Sequence, residues 1–576
     1  MAMVACTPSR ANPPPPMNAT AYDPERIPVV VASGQSIERT ELVTPVDLMV
    51  RAAEEALAAA PALRDRIDRL SVVDILSRSG PAPATELGER IGARPNACEV
   101  TTIGGNSPQW LVNRAAGAIA EGALSVTLIA GAEAIRSSRA RRAAGMPPEV
   151  GRTQLPPDPV VGDDLPGIGP AEAAIGLLLP VHVYPLFESV VAARAGHDAA
   201  GHRRVMGELL APFTEVAAAN PYAWFHQART ATAIATPSAD NRLVCDPYTK
   251  WMCAYLGSDQ GAALLVCSLA EARRAGVADR AVFVWSGADI TDVRFPTARP
   301  DPGRSPAIAA AGRAALAAAT SAAGRGGGVG IGGGAGGVGI GAGGVGIDDI
   351  EVLDIYSCFP SAVELAAAAL GIALDDSRGL TVTGGLPYFG GPGNNYTTHS
   401  IATVTDILRD PASAPRRGGG GGGSGRGGRG GRGGGSGGGG RGGGSSGVRL
   451  GLTTGLGWFV TKHSIGVYGT APPPAGFHQG DTTTAQSQID ATAVEVALEV
   501  AEPTPATVIA ATVIRDHQGA PTGAPLLARL PDGRHMALAP ADDEVTATLG
   551  HMDIPGLVGS PIVVEPGEAR YRLATG

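Results

Sequence analysis

Between residues 27 and 470 the chain returns again and again to short, mostly apolar runs, at 27–32, 70–76, 125–131 (SVTLIAG), 261–268 (GAALLVCS), 281–286 and 350–356. A run with little polar alternation can rest only where both of its faces are covered. Helix-length stretches lie between these runs, at 45–60 (with Thr44 or Asp47 near its start), 108–121, 306–323, 360–370 and 398–409. Strands alternating with such helices predict an α/β protein built of βαβ units around a parallel sheet. The rhythm breaks over about 140–255, where Pro-rich loops and amphipathic stretches at 181–196 and 201–220 read as an inserted cap, and it then resumes to strand-like segments at 448–470. One α/β unit looks to have been used twice.

The remaining segments are set by composition. Residues 1–24 are Pro-rich and read as a disordered leader without the basic-then-apolar pattern of a secretion signal. Residues 326–346 hold 14 glycines in 21 positions, and residues 416–447 hold 22 glycines, six arginines and four serines in 32. Neither tract carries enough apolar surface to offset its ordering entropy, so both are expected as mobile insertions. The second (RGGRGGRGGG) is open to reading as an RNA-contacting tract or as a solvated loop; the absence of interleaved aromatics favours the loop. Residues 478–576 change character, with β-rich runs at 493–500, 506–514 and 562–564, and predict a small β-barrel or sandwich.

Charge and cysteine content narrow the function. The net charge is −9, and with the arginines of the second tract set aside the rest carries −15, which disfavours nucleic acid or an anionic membrane as partner. No run of about 18 apolar residues is present, so no membrane span is expected. Cys6, Cys98, Cys245, Cys253, Cys267 and Cys358 form no CxxC pair, which reads as reduced thiols in a cytoplasmic protein with neither a metal site nor a cofactor. No GxxxxGK[ST] loop occurs, so nucleotide hydrolysis is not supported.

The stretch TTIGGNSPQWLVNRAAGAIAEGALSVTLIAGAEAIR at 101–136 resembles the nucleophile region of the thiolase superfamily, keeping Ser107, Gln109, Ala118, Ile119, Gly122, Ala130, Gly131 and Glu133 of its framework. SDQGAA at 258–263 is similar to S-D-G-A-A-A. IYSCF at 355–359 falls where thiolases carry N-E-A-F and sterol carrier protein x type thiolases carry H-D-C-F, and Gly390-Gly391-Pro392 falls at G-H-P. With GGPGNNYTTHS and an appended C-terminal domain, the sequence most nearly resembles the thiolase-like protein type 1 group, acetyl-CoA acetyltransferase-like proteins of lipid metabolism. The resemblance implies a five-layered αβαβα fold of two related halves. These are residues 25–275 with a loop domain at about 140–255, and residues 276–474 with both Gly-rich insertions, followed by the domain at 478–576.

The same resemblance implies acyl-CoA chemistry, but four positions depart from it. Gly104 stands where the nucleophilic cysteine belongs, Gly391 where the G-H-P histidine belongs, Tyr356 and Ser357 in place of the Asn-Glu or His-Asp pair, and 454–457 (TGLG) lacks the second cysteine. A glycine cannot attack a thioester, and loss of the nucleophile alone costs on the order of 10⁶ in turnover. Chemistry could be rebuilt on Cys358 as acid or nucleophile with His463 or His399 as base; alternatively Cys358 is a core thiol and the histidines are structural. Asn106 and Ser107 open the helix after Gly104, either as donors to an acyl oxygen or with Ser107 as a plain N-cap and Pro108 at N1. Asn394 and Asn395 offer amides to a pocket or simply make a turn. The expected ligand is acyl-CoA or CoA, bound around Gly104, Asn106, Ser107, Tyr356, Gly391, Asn394 and Asn395. The alternative is a catalytically silent scaffold acting with a partner subunit, and a homodimer is the other association expected by analogy.

Overall fold

The computed structural model describes residues 23–77, 80–147, 154–324, 344–415 and 447–574. The expected leader at 1–24 and the two Gly-rich insertions lie almost entirely outside the described residues. The first half comprises β1 (Pro28–Ile37), α1 (Pro45–Ala59), β2 (Arg69–Val72), β3 (Ala97–Thr101), α2 (Ser107–Glu121), β4 (Val126–Ala134), β5 (Val160–Val161) and, after the cap, β6 (Asp259–Ser268). The cap is dominated by α3 (Pro180–Arg194) and α4 (Ala199–Ala219). The second half runs β7 (Val282–Thr291), α5 (Pro306–Ala322), β8 (Ile350–Asp354), α6 (Pro360–Leu370), α7 (Tyr396–Arg409), β9 (Leu450–Gly457) and β10 (Lys462–Gly469).

Ten of these strands line up in the order β8-β9-β10-β7-β1-β6-β4-β2-β3-β5 within an eleven-stranded sheet. The sheet is mixed rather than parallel as the alternation predicts. The outer pairs β8–β9, β2–β4, β2–β3 and β3–β5 are parallel, whereas β9–β10, β10–β7, β7–β1, β1–β6 and β6–β4 are antiparallel. The reason is visible at β9 and β10, whose connection spans only 458–461, too short for the crossover that a parallel pair requires.

Alternate residues of the central strands enter different cores, as a period of two demands. In β6, Ala263, Leu265 and Cys267 face one core while Leu264 and Val266 face another. The second of these lies in the middle of the molecule, where Leu111, Val112, Ala115 and Ile119 of α2 meet Ile401, Val404 and Leu408 of α7. Both helices pack on strands of both halves, while α1 covers β1, β4 and β6 from outside and α5 covers β7 and β10. The result is the five-layered αβαβα arrangement with a β-rich C-terminal domain. α1 begins with a capping box, the Thr44 hydroxyl accepting from Asp47 N (3.1 Å) and the Asp47 carboxylate from Thr44 N (2.8 Å).

The C-terminal strands β11 (Thr504–Ala511), β12 (Leu526–Arg529), β13 (His535–Pro540), β14 (Pro561–Val564) and β15 (Arg570–Leu573) close a barrel in the order β11-β12-β13-β15-β14. The run 493–500 is not the strand its composition predicts. It crosses the barrel surface with one bridge, Val496 to His535, while Val494 N donates to Ala298 O, so its backbone is divided between two domains. The barrel does not hang free. Its hairpin at 514–523 pairs with the cap strand Leu243–Cys245, and the Arg515 guanidinium reaches the nearly buried Asp246 carboxylate at 2.7 Å.

Removing one partner of such a pair strands a buried charge. Arg515→Ala is therefore expected to lower stability by roughly 3 kcal/mol in urea unfolding. Arg534→Ala, which breaks an exposed pair with Asp532, should change it by less than about 1 kcal/mol.

Candidate functional site

The start of α2 is gripped from several elements. Gly104 N donates to Asn394 Oδ1 (3.1 Å), Thr397 Oγ1 donates to Gly105 O (2.7 Å), and the Ser107 hydroxyl donates to Thr102 O (3.2 Å). Asn106, not Ser107, is the N-cap residue, and its side chain makes no cap bond. Ser107 is the first residue inside the helix, which corrects the N-cap reading; its hydroxyl is held by the preceding loop instead. The Asn106 amide donates to Ser464 Oγ (3.3 Å), while its buried Oδ1 has no partner.

One turn further, Gln109 clamps α2 to the second half. Its Oε1 accepts from Thr453 Oγ1 and from Tyr468 OH (2.8 Å), and its Nε2 donates to Asn113 Oδ1 (2.8 Å). Asn113 passes the connection to the Asp289 carboxylate (3.0 Å). A Cβ on Gly466 would collide with the Gln109 amide, so this strand position admits only glycine beside the clamp.

The loop after β8 brings Tyr356, Ser357 and Cys358 against this helix start. The Tyr356 hydroxyl lies where a Cβ on Gly105 would project, and Leu456 O closes the same space. The cavity that Tyr356, Thr454, Gly455, Leu456 and His463 still enclose is about 10 Å³. One water needs ~10–15 Å³, so the space beside Tyr356 holds at most a single water.

Cys358 and the histidines do not form a dyad. Burial pushes the Cys358 thiol up to about 12, and its side-chain partner is the Tyr184 hydroxyl. His399 meets Gln35 Oε1 (2.8 Å) and the edge of Phe389, and burial takes it down to about 3. His463 Nε2 bonds Val460 O (3.2 Å), with burial taking it down to about 4. At neutral pH the thiol is protonated and both rings are uncharged; the polar contacts of His399 Nδ1 and His463 Nε2 go to Gln35 and Val460 rather than to the sulfur, and the buried His399 Nε2 has no partner.

The asparagines of the Gly-rich loop bond within the protein. The Asn394 amide donates to the Asp74 carboxylate (3.0 Å), and the Asn395 amide donates to Gly131 O (2.6 Å) while its carbonyl accepts from Thr398 Oγ1 (2.5 Å). A Cβ on Gly391 would sit 3.0 Å from Tyr255 O, so a histidine there meets backbone. Glu133 carries the framework role: its carboxyl accepts from Leu76 N (2.7 Å) and Ser77 N (2.8 Å), and burial raises it to about 7.

Sequence reasoning passed over two features here. Lys462, nearly buried, gives its ammonium to Ile103 O (3.1 Å) and Asp163 O (2.5 Å), joining α2's approach loop to β10. The β9–β10 turn holds Trp458 (φ 57°) and Val460 (φ 55°) in the left-handed region, costly for a β-branched residue. The Tyr184 hydroxyl steadies it by donating to Trp458 O (2.9 Å). Neither contact has a local sequence signal. On the outer side of α2's start, Asn106, Ser107, Trp110, Asp289, Lys462 and His463 line an open cleft of about 220 Å³.

No protein-family model and no curated protein matches the chain. Solved structures do. A monomeric SCP2-thiolase-like protein type 1 from Mycobacterium smegmatis is 29% identical, spanning 96% of this chain and 100% of its own, with a TM-score of 0.73. The Ltp2–ChsH2(DUF35) aldolase shares the fold at 16% identity and a TM-score of 0.52, over 78% of this chain and 98% of that one. The chain has the thiolase-like fold that its motifs between 101 and 392 imply.

Two outcomes follow from these surroundings. Iodoacetamide at pH 8 should leave Cys358 unmodified in native protein by peptide mass mapping, because its thiolate is scarce and buried; rapid native labelling would contradict the geometry. Glu133 binds its proton more tightly folded than unfolded, so its contribution to stability is full below pH 4.5 and lost as pH rises through about 7. Glu133→Gln should flatten that part of the stability profile by about 3 kcal/mol relative to the parent chain.

Proposed function

We propose that this protein binds a CoA thioester at the cleft beside α2 and does not carry out thiolase carbon–carbon chemistry. The observation that carries this is the closed space beside Tyr356, about 10 Å³, which holds at most a single water. Gly104 and Gly391 stand at the places of the nucleophile and the oxyanion-binding histidine, and Cys358 has a phenol rather than an imidazole for a partner.

The cleft supplies what a pantetheine arm can use. The N-terminus of α2, which opens on the cleft through Asn106 and Ser107, favours negative charge or a carbonyl oxygen, and Lys462 at its edge adds to the positive potential. The free thiols among the described residues fit a reducing, cytoplasmic setting, and the proposed ligand class places the protein in lipid metabolism. No helix among the described residues is long and apolar enough to cross a membrane.

A second reading is a silent scaffold for a partner subunit, with the barrel held on the cap by Arg515 and Asp246 as a fixed surface. The similar aldolase pairs Ltp2 with a DUF35 protein, and the similar mycobacterial protein is monomeric, so a partner subunit is the better supported association than a homodimer.

Calorimetric titration with CoA and acetyl-CoA separates the readings. Binding is expected, weakened about tenfold in Asn106→Ala, a loss of ~1.4 kcal/mol, and 3-ketoacyl-CoA should show no thiolysis. Turnover abolished by Cys358→Ala would sink the non-catalytic reading, and absence of any heat with either ligand would leave the scaffold.

A further inference from the structure

Away from the cleft, three helices bring ionisable side chains together in a buried knot. Glu188 comes from α3, His202 from α4 and Glu364 from α6, each at least nine-tenths buried, with one potential ligand atom apiece lying within 4.8 Å of the others. His202 Nε2 is 2.6 Å from Glu188 Oε1 and 3.7 Å from Glu364 Oε2. The two carboxyl groups lie within hydrogen-bonding reach of each other, and Glu364 Oε1 has no donor. Two carboxylates facing each other out of water are strongly unfavourable unless a cation or a proton stands between them.

We propose that Glu188, His202 and Glu364 form a binding site for a divalent transition-metal ion such as Zn²⁺. Two carboxylates, a neutral imidazole and a dication sum to zero charge, which removes the penalty of burying the acids. The surroundings are arranged as they are behind metal ligands. His202 Nδ1 is 3.3 Å from Nδ1 of the half-buried His197, so a proton held between those atoms leaves the Nε2 lone pair free for the ion. The Tyr248 hydroxyl donates to Glu188 Oε2 at 2.6 Å, fixing that carboxylate while Oε1 points to the knot.

The ion ties the cap to the second half. α6 begins two residues after Cys358, and α3 also receives the barrel, where Ala511 N donates to Ser189 Oγ (3.1 Å). One site thus braces the Tyr356–Cys358 loop, the cap and the C-terminal domain. Its ligands are 14 residues apart at the nearest and follow none of the close Cys and His spacings that mark a metal motif, so the chain gives no local sign of it.

The test uses full-length protein stripped with EDTA, then incubated with ZnCl₂ or CoCl₂ and desalted. About one equivalent per chain is expected by elemental mass spectrometry, with a visible absorption band for Co²⁺ and a raised melting temperature for Zn²⁺. His202→Ala and the near-isosteric Glu364→Gln should each weaken retention by about 100-fold, and if His202→Ala fails to fold, Glu364→Gln carries the comparison. Loss of binding in the wild-type chain, or equal retention in folded Glu364→Gln, overturns the proposal and leaves a shared proton as the neutralising species.

Discussion

Everything near the site depends on α2 being buried from both sides. The buried face of a helix in the middle layer has no solvent to satisfy its polar groups, so the polar side chains on that face need partners within the protein. Gln109 and Asn113 meet this demand by spanning to Thr453, Tyr468 and Asp289. That clamp fixes the helix start, and with it the backbone at Gly104 and Gly105, to within the tolerance of a hydrogen bond. The glycines opposite, such as Gly466, are the steric counterpart of the same contact.

Nothing in the clamp requires a particular side chain at 104 or 391, so the layers stay assembled around the glycines there. Tyr356 packs against Gly105, and close packing of this kind gains dispersion contacts that a void would forfeit. The strained turn at Trp458 and Val460 persists because Tyr184 and the surrounding core over-determine it. Tyr184 in turn is the partner of Cys358, so the phenol, the turn and the thiol form one packed unit instead of a reactive centre.

The cap and barrel extend this logic outward. α3 contributes Tyr184 to the β9–β10 turn, Ser189 to the barrel contact and Glu188 to the buried knot, which makes it the element through which three regions touch. A barrel anchored by the nearly buried Asp246–Arg515 pair is held in one orientation, since a guanidinium fork and a carboxylate match in few geometries.

From its residues alone the chain determined its layers. Apolar runs with helices between them place strands and helices within a few residues of their observed ends, and the order of GGNSPQ, SDQGAA, IYSCF and GGPG implied the thiolase-like fold with glycines at two reactive positions. Strand direction, the destination of Asn394 and Asn395, and the separation of Cys358 from both histidines were decided only by the tertiary structure. The reason is physical. Periodicity records which face of a local element avoids water, a property each segment carries by itself. Hydrogen-bond partners, cavity size and the meeting of Glu188, His202 and Glu364 depend on the relative placement of segments far apart in the chain, and no short-range pattern encodes them.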